Sequence, residues 1–194
     1  MSYLRSADTD TASFQRYAQV ATRVLALEVL FDLPTEAVTI RTPLELTDAR
    51  RFAQPMIFVP VLRSGLALLD AMNNFLPGSK VGFVGMERNE ETAIARSYYS
   101  KLPKHLGESM VVILDPMLAT GSSALGTLRL LRQAGARLIR LACVVAAPEG
   151  VEALLKEDPS VRIYTCALDR TLNDRKYILP GLGDFGDRYF GTAD

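Results

Sequence analysis

Three continuous apolar runs constrain the fold of this chain more than anything else in it: Met56–Leu62 (MIFVPVL), Met110–Leu114 (MVVIL) and Leu138–Ala147 (LIRLACVVAA). Each has strand length and lacks the polar alternation of a strand with one wet face. Such runs belong to strands buried on both sides, as in sheets covered by helices on each face. The segments around them have helical spacing. Phe14, Tyr17, Ala21, Leu25 and Val29 predict a helix over Thr11–Phe31, followed by Pro34, which cannot continue it. Leu66, Leu69, Met72 and Phe75 share one side of a helix over Gly65–Phe75. Further helices are expected over Ser122–Gln133, closed by Gly135, and over Glu149–Lys156. Glu36–Thr42, Lys80–Met86, Ser97–Leu102 and Val161–Ala167 read as additional strands, and Glu87–Arg96 as an exposed charged loop. After Leu168 the pattern becomes irregular. Strand and helix alternate through the middle, so the expectation is an α/β fold with a mostly parallel central sheet flanked by helices, in one domain spanning 1–194. Ligands of such sheets bind at the carboxyl ends of the strands.

Charge narrows the function classes. Twenty-two basic and 22 acidic side chains give a net charge of zero. Proteins that live on nucleic acid usually carry a basic excess, so no nucleic-acid partner is expected. Met1–Asp10 is polar, and no run of about 20 apolar residues follows. The expectation is a cytoplasmic protein with no membrane partner. Cys143 and Cys166 sit among apolar residues and read as buried thiols in a reducing compartment. The lone His105 lies in a polar stretch and reads as a surface residue.

Chemistry concentrates in Met110–Ala124, MVVILDPMLATGSSA. A buried strand ends at Asp115, and a short loop with Thr120, Gly121, Ser122 and Ser123 then opens a helix. The first turn of a helix presents unpaired N–H groups and the positive end of the helix dipole. Glycine lets the backbone approach phosphate oxygens, and hydroxyls add donors. Asp115 repels phosphate but can hold sugar hydroxyls beside it. The same residues also suit an ordinary strand–turn–helix junction capped by Thr120 or Ser122. The loop is not a Walker motif, because no lysine follows the glycine.

This stretch resembles the phosphoribosyl diphosphate motif of the type I phosphoribosyltransferases. Most of that class carry two adjacent acidic residues where this chain has Asp115-Pro116, and Asp-Pro-Met is the form found in uracil phosphoribosyltransferases. PVLRSGL (60–66), VGMERNEET (84–92), AAPEGV (146–151) and YILPGLGDFGDRYFGT (177–192) resemble segments of the same family, in its order and spacing. The resemblance covers Phe14 to Thr192. It implies an enzyme that joins uracil to 5-phospho-α-D-ribose 1-diphosphate, releasing pyrophosphate and forming uridine monophosphate, with Mg2+ as cofactor held mainly through the diphosphate. It also implies a small C-terminal hood over the base site and a homodimer or higher homo-oligomer.

Carried onto this sequence, the resemblance assigns the phosphoribosyl diphosphate site to Asp115, Pro116, Met117, Leu118, Ala119, Thr120, Gly121, Ser122 and Ser123. Asp115 takes the ribose hydroxyls; Thr120, Ser123 and the loop N–H groups take the 5′-phosphate. Arg63, in the first turn after a strand, contacts pyrophosphate, and Arg88 belongs to a loop that folds over the diphosphate. Ile178, Gly183, Asp184 and Phe185 form the uracil site, where backbone groups match the two carbonyls and the N–H of the base. Asp184 also faces the diphosphate and, with Asp115 and Arg88, is assigned a catalytic role. As an isolated reading, Arg63 also fits a surface arginine at a strand end, and Glu87–Glu91 a solvated loop.

Three features depart from the family pattern. Ser122 replaces the second glycine of a Gly-Gly pair, which backbone donation tolerates if its φ is negative. Phe185 stands where the family has alanine, and the chain begins later than typical members, so altered dimer contacts or regulation are expected. The preferred expectation for the Phe185 ring is steric: Phe185→Ala opens space beside the base, keeps uracil activity and admits bulkier 5-substituted uracils. The alternatives are a ring that stacks on the base, whose removal raises the KM for uracil, and a ring that fills the pocket and leaves the parent inactive on uracil. The rival readings are an RNA-binding regulator of pyrimidine operons, a non-catalytic relative on the same fold, and a purine enzyme. Zero net charge and the tail oppose the first. Retained Asp115, Arg63 and Arg88 oppose the second, and Asp115-Pro116 with the tail opposes the third.

Overall fold

The computed structural model of the chain describes residues 1–88 and 95–192. A single helical turn, α1 (Ser2–Arg5), precedes the long helix α2 (Thr11–Phe31). Asp10 caps α2 by accepting the Ser13 N–H at 2.8 Å. Strands β1 (Thr35–Arg41) and β2 (Leu46–Phe52) form a separate antiparallel hairpin. There follow β3 (Met56–Leu62), α3 (Leu66–Phe75), β4 (Lys80–Val81), β5 (Phe83–Arg88), β6 (Ala95–Lys101), β7 (Met110–Leu114) and β8 (Met117–Leu118). Then come α4 (Ser122–Gln133), β9 (Leu138–Ala146), α5 (Pro148–Glu157) and β10 (Arg162–Leu168). The tail pairs β11 (Thr171–Leu172) with β12 (Ile178–Leu179) and ends in α6 (Phe185–Phe190).

The main sheet runs β10-β9-β7-β3-β5-β6, parallel except for the β5–β6 pair at one edge, with β4 added to β3 and β8 to β9. Successive side chains of the central strands point to opposite faces. Met56, Phe58, Met110, Val112, Leu114, Ala142 and Val144 meet Phe14, Leu25, Leu68 and Met72 of α2 and α3. Ile57, Val59, Val111, Ile113, Leu141 and Cys143 meet Leu128, Leu131 and Leu154 of α4 and α5. The apolar runs are continuous because both faces are covered.

Several expectations are corrected. The Lys80–Met86 strand is two pieces: Gly82 donates to Phe58 O at 2.9 Å, and β5 then moves along β3 to pair with Val61 and Leu62. The charged loop expected over Glu87–Arg96 is shorter, since Glu87 pairs with Arg96 and Arg88 with Ala95; positions 89–94 lie outside the described residues. Cys143 is buried as expected, whereas Cys166 is only partly so. His105 is exposed. The one charged residue of the third apolar run, Arg140, is buried: its Nη1 donates to Val29 O and to Asp32 Oδ1, and its guanidinium lies 5.3 Å from the Tyr164 ring centre. The C-terminal end of α2 and a capping carboxylate thus neutralise it, at the sheet end opposite the site.

Candidate functional site

At the carboxyl end of β7 the chain is stitched onto β9. Asp115 N–H donates to Ala142 O at 3.1 Å, Val144 N–H to Pro116 O at 2.9 Å and Ala147 N–H to Leu118 O at 2.8 Å. The expected Asp115–Gly121 loop therefore contains a short strand, β8, paired with Val145 and Ala146. Gly121 then reverses the chain at φ +80°, a region open to glycine, and α4 begins at Ser122. Ser122 is helical, which meets the condition for backbone donation. The loop is backed by α5: a Cβ on Gly150 would lie 2.5 Å from Ala119 O, and one on Gly121 would lie 3.1 Å from Gly150 O.

These bonds shape a cavity of about 140 Å³ lined by Asp115, Met117, Leu118, Ala119, Thr120, Gly121, Ser122, Ser123 and Ala124. Pro116 is not on its wall; it carries the carbonyl that binds β9. Thr120 Oγ1 lies 3.2 Å from Ser122 Oγ and accepts the Ser122 N–H at 3.4 Å, so the donors of the turn converge. Asp115 is buried and is in none of the described ion pairs. Burial pushes its carboxyl up to about 7, opposed only by the Met117 N–H at 3.4 Å. A buried carboxylate without a cation invites hydroxyl donors.

A second cavity, of about 210 Å³, adjoins the first. Its wall brings together Ile178, Gly183, Asp184 and Phe185 of the expected base site, and adds Ser64, Lys176, Tyr177 and Gly186. Met117 and Ala119 belong to both cavities. Ser64 arrives from the β3–α3 turn, where a Cβ on Gly186 would lie 3.6 Å from Ser64 Cβ. The four added residues sit within or beside matched motifs, but no polar pattern singles them out.

Asp184 caps α6 by accepting the Asp187 N–H at 2.9 Å, which orients its carboxylate at the cavity wall. Arg63 is exposed, and its Nη2 lies 3.5 Å from Asp187 Oδ1, a weak contact that leaves the guanidinium available. Arg88 ends β5 opposite Ala95. Phe185 differs from expectation. It lines the cavity, yet the residue is only 1% exposed, and its ring packs edge-on against Phe14 at 5.2 Å and stacks on Tyr189 at 5.8 Å. The ring belongs to the core beneath the hood, so the space freed by Phe185→Ala lies in the core between Phe14 and Tyr189 and not beside the base, contrary to expectation.

Comparison with known proteins shows the family of the chain. A family model described as uracil phosphoribosyltransferase matches residues 1–192. A protein of that name from Rhodococcus opacus is 44% identical over 193 residues, 99% of this chain and 92% of the relative. The solved structure of a protein from Aquifex aeolicus superposes with a TM-score of 0.93 at 36% identity, covering 99% of this chain and 92% of the other. Orotate phosphoribosyltransferase from Aeropyrum pernix shares the fold at a TM-score of 0.52 and 21% identity, over 79% of this chain and 72% of its own.

Proposed function

The chain belongs to the uracil phosphoribosyltransferase family, and from that premise we propose how its two adjoining cavities divide the transfer. The reaction moves a phosphoribosyl group from phosphoribosyl diphosphate to uracil, giving uridine monophosphate and pyrophosphate. The shared wall at Met117 and Ala119 supports the division: a ribose that spans it has its 5′-phosphate on one side and its C1′ facing the base on the other.

In this reading the N–H groups of the 119–122 turn and the hydroxyls of Thr120 and Ser123 hold the 5′-phosphate at the start of α4. Asp115 accepts the ribose hydroxyls. Uracil lies against the backbone of Ile178, Gly183 and Phe185, whose groups fit an acceptor–donor–acceptor edge. Cytosine places an amino group where a carbonyl should be, leaving donor facing donor. As the C1′–O bond breaks, positive charge develops on the ribose and negative charge on pyrophosphate. Arg63 and Arg88 stabilise the leaving group, while N1 of the oriented base attacks the opposite face of C1′. Magnesium would be carried on the diphosphate, with the Asp184 carboxylate of the cavity wall alongside. When bound, the ion neutralises charge on the departing oxygens.

The direct test is labelled uracil with phosphoribosyl diphosphate and magnesium, scored for uridine monophosphate. Failure to form it in the folded protein refutes the assignment. Arg88→Ala should raise the KM for phosphoribosyl diphosphate at least ~10-fold, the loss of one charge-assisted contact, with an unchanged melting temperature. Unaltered kinetics across that substrate's range would remove Arg88 from the site.

The same proposal makes the enzyme a homodimer or higher homo-oligomer. Val20, Val24, Leu27 and Phe31 form one stripe on α2 and are 51, 56, 56 and 88% exposed; Leu44 and Leu46 of the hairpin are 95 and 69% exposed. A second copy of the chain covers such apolar surface. Light scattering that reads a monomer at micromolar concentration overturns this. Among the described residues no helix is long and apolar enough to cross a membrane. A cytoplasmic place is proposed for the enzyme, and cell fractionation checks it.

A further inference from the structure

The base-site backbone is held from behind by residues that touch neither cavity. Gly181 lies between Ile178 and Gly183 at φ +63°, and a Cβ there would sit 2.2 Å from Ile178 O. The turn is therefore folded tightly onto the carbonyl of a base-site residue. Both backbone groups of Gly181 end on side chains from outside the turn, one of them from the first residues of the chain. Its N–H donates to Asp169 Oδ2 at 2.8 Å, and its carbonyl accepts from Arg5 Nη1 at 2.9 Å. Arg5 closes the triangle with two bonds to Asp169, Nη1 to Oδ2 at 2.7 Å and Nη2 to Oδ1 at 2.6 Å. Asp169 is buried and fixed to the main sheet, its own N–H donating to Ala146 O at 2.8 Å.

A second arginine repeats the arrangement one residue on. Arg188 Nη1 donates to Leu182 O and to Leu4 O, each at 2.6 Å, and its Nη2 donates to Ser6 O at 2.6 Å. Its guanidinium lies 4.5 Å from the Phe14 ring centre. Leu4 is buried in the core, so α1 is anchored independently of these bonds. Arg5 of the first helical turn and Asp169, just after β10, thus hold the carbonyl and the N–H of Gly181, and Arg188 of α6 holds the Leu182 carbonyl, all from outside the pocket.

We propose that Arg5 and Asp169 are positioning residues for uracil recognition, fixing the backbone from Ile178 to Gly183 in the conformation that reads the base. The proposal rests on the uracil reading of the second cavity. The guanidinium is suited to this task because its planar fork reaches a carboxylate with two bonds and still has an N–H for a carbonyl. A lysine at the same place offers a point charge without that geometry.

The test is steady-state kinetics of the full-length enzyme with both substrates varied. Arg5→Met keeps much of the alkyl stem and removes the fork. It should raise the KM for uracil at least ~10-fold while leaving that for phosphoribosyl diphosphate within about 2-fold, since the phosphate turn is built separately. Arg5→Lys should recover part of the uracil affinity, and Asp169→Asn should reproduce the defect of Arg5→Met. A purely structural role predicts equal losses for both substrates, or fewer active molecules with both constants unchanged; either result overturns the proposal. Should Arg5→Met fail to fold, Arg5→Lys and Asp169→Asn decide by the same split. A parent enzyme that forms no uridine monophosphate overturns the uracil reading and the clamp with it. An active parent with unchanged variants overturns the clamp alone.

Discussion

Asp115→Ala should lower turnover at least ~10-fold, and Asp115→Asn should do the same while making the protein more heat-stable above neutral pH. The first effect follows from losing a charge-assisted hydrogen bond to ribose, worth about 1.5–3 kcal/mol. The second follows from the environment of the carboxyl, which burial pushes up to about 7. A carboxyl whose pKa rises on folding binds its proton more tightly in the native state. The folded protein is therefore favoured below about pH 4, and that advantage is lost as pH rises through about 7. At pH 8 the ionised, buried group costs up to about 4 kcal/mol relative to an unperturbed one. Asparagine has no charge to bury, so the melting-temperature gain of Asp115→Asn over the parent should be largest above pH 7 and vanish near pH 4. In the proposed function, ribose hydroxyls donating to the carboxylate would relieve the cost, so that the penalty falls on the free enzyme. Measured with pH, kcat/KM for phosphoribosyl diphosphate should rise through about 7 in the parent and lose that limb in Asp115→Asn. A folded Asp115→Ala with parental turnover removes the ribose assignment, and an Asp115→Asn no more stable than the parent at pH 8 removes the raised carboxyl pKa.

Legibility in the sequence followed the reach of each interaction. β3, β7 and most of β9 are recognisable because burial on two faces leaves an uninterrupted apolar run. β2 (LTDARRF) is not, because nearly all its residues face solvent and its partner is only β1, so no face is selected to be apolar. Gly82 divides a single apolar pattern into two strands through a change of partner position that composition does not record. At the site, the turn proposed for the phosphate is readable as a glycine-bearing strand–turn–helix junction because its donors, glycine and helix start are contiguous. The base cavity is readable only through motif resemblance, since Ser64 and Ile178 meet through folding alone. The Arg5–Asp169 pair spans 164 positions and leaves no local trace.

Phe185 shows the limit of motif reasoning at single-residue resolution. The residue lies on the wall of the second cavity, but its ring packs into the core instead of standing beside the base. The ring lies between Phe14 of α2 and Tyr189 of α6, and Tyr189 is tied to α2 by Gln19 Nε2 at 2.8 Å and Gln15 Nε2 at 2.7 Å. Removing it empties a core site where one face of the sheet, α2 and the hood meet. Phe185→Ala should cost about 3–5 kcal/mol. For a chain of this length that lowers the melting temperature by about 10 °C, within the stability of an ordinary domain. The variant should therefore fold. Its catalytic defect should reach uracil and 5-substituted uracils alike, because the loosened element is α6, whose cap Asp184 stands on the cavity wall. The ratio of kcat/KM between a 5-substituted analogue and uracil should stay within about 3-fold of the parent, which is less than one buried methylene typically contributes to discrimination. Melting curves and that ratio, measured on the same preparations, separate the two roles. An unchanged melting temperature with a selective gain for the analogue would return the ring to the base pocket. A lower melting temperature with an unchanged ratio leaves it in the core, where Phe185 holds the hood to α2.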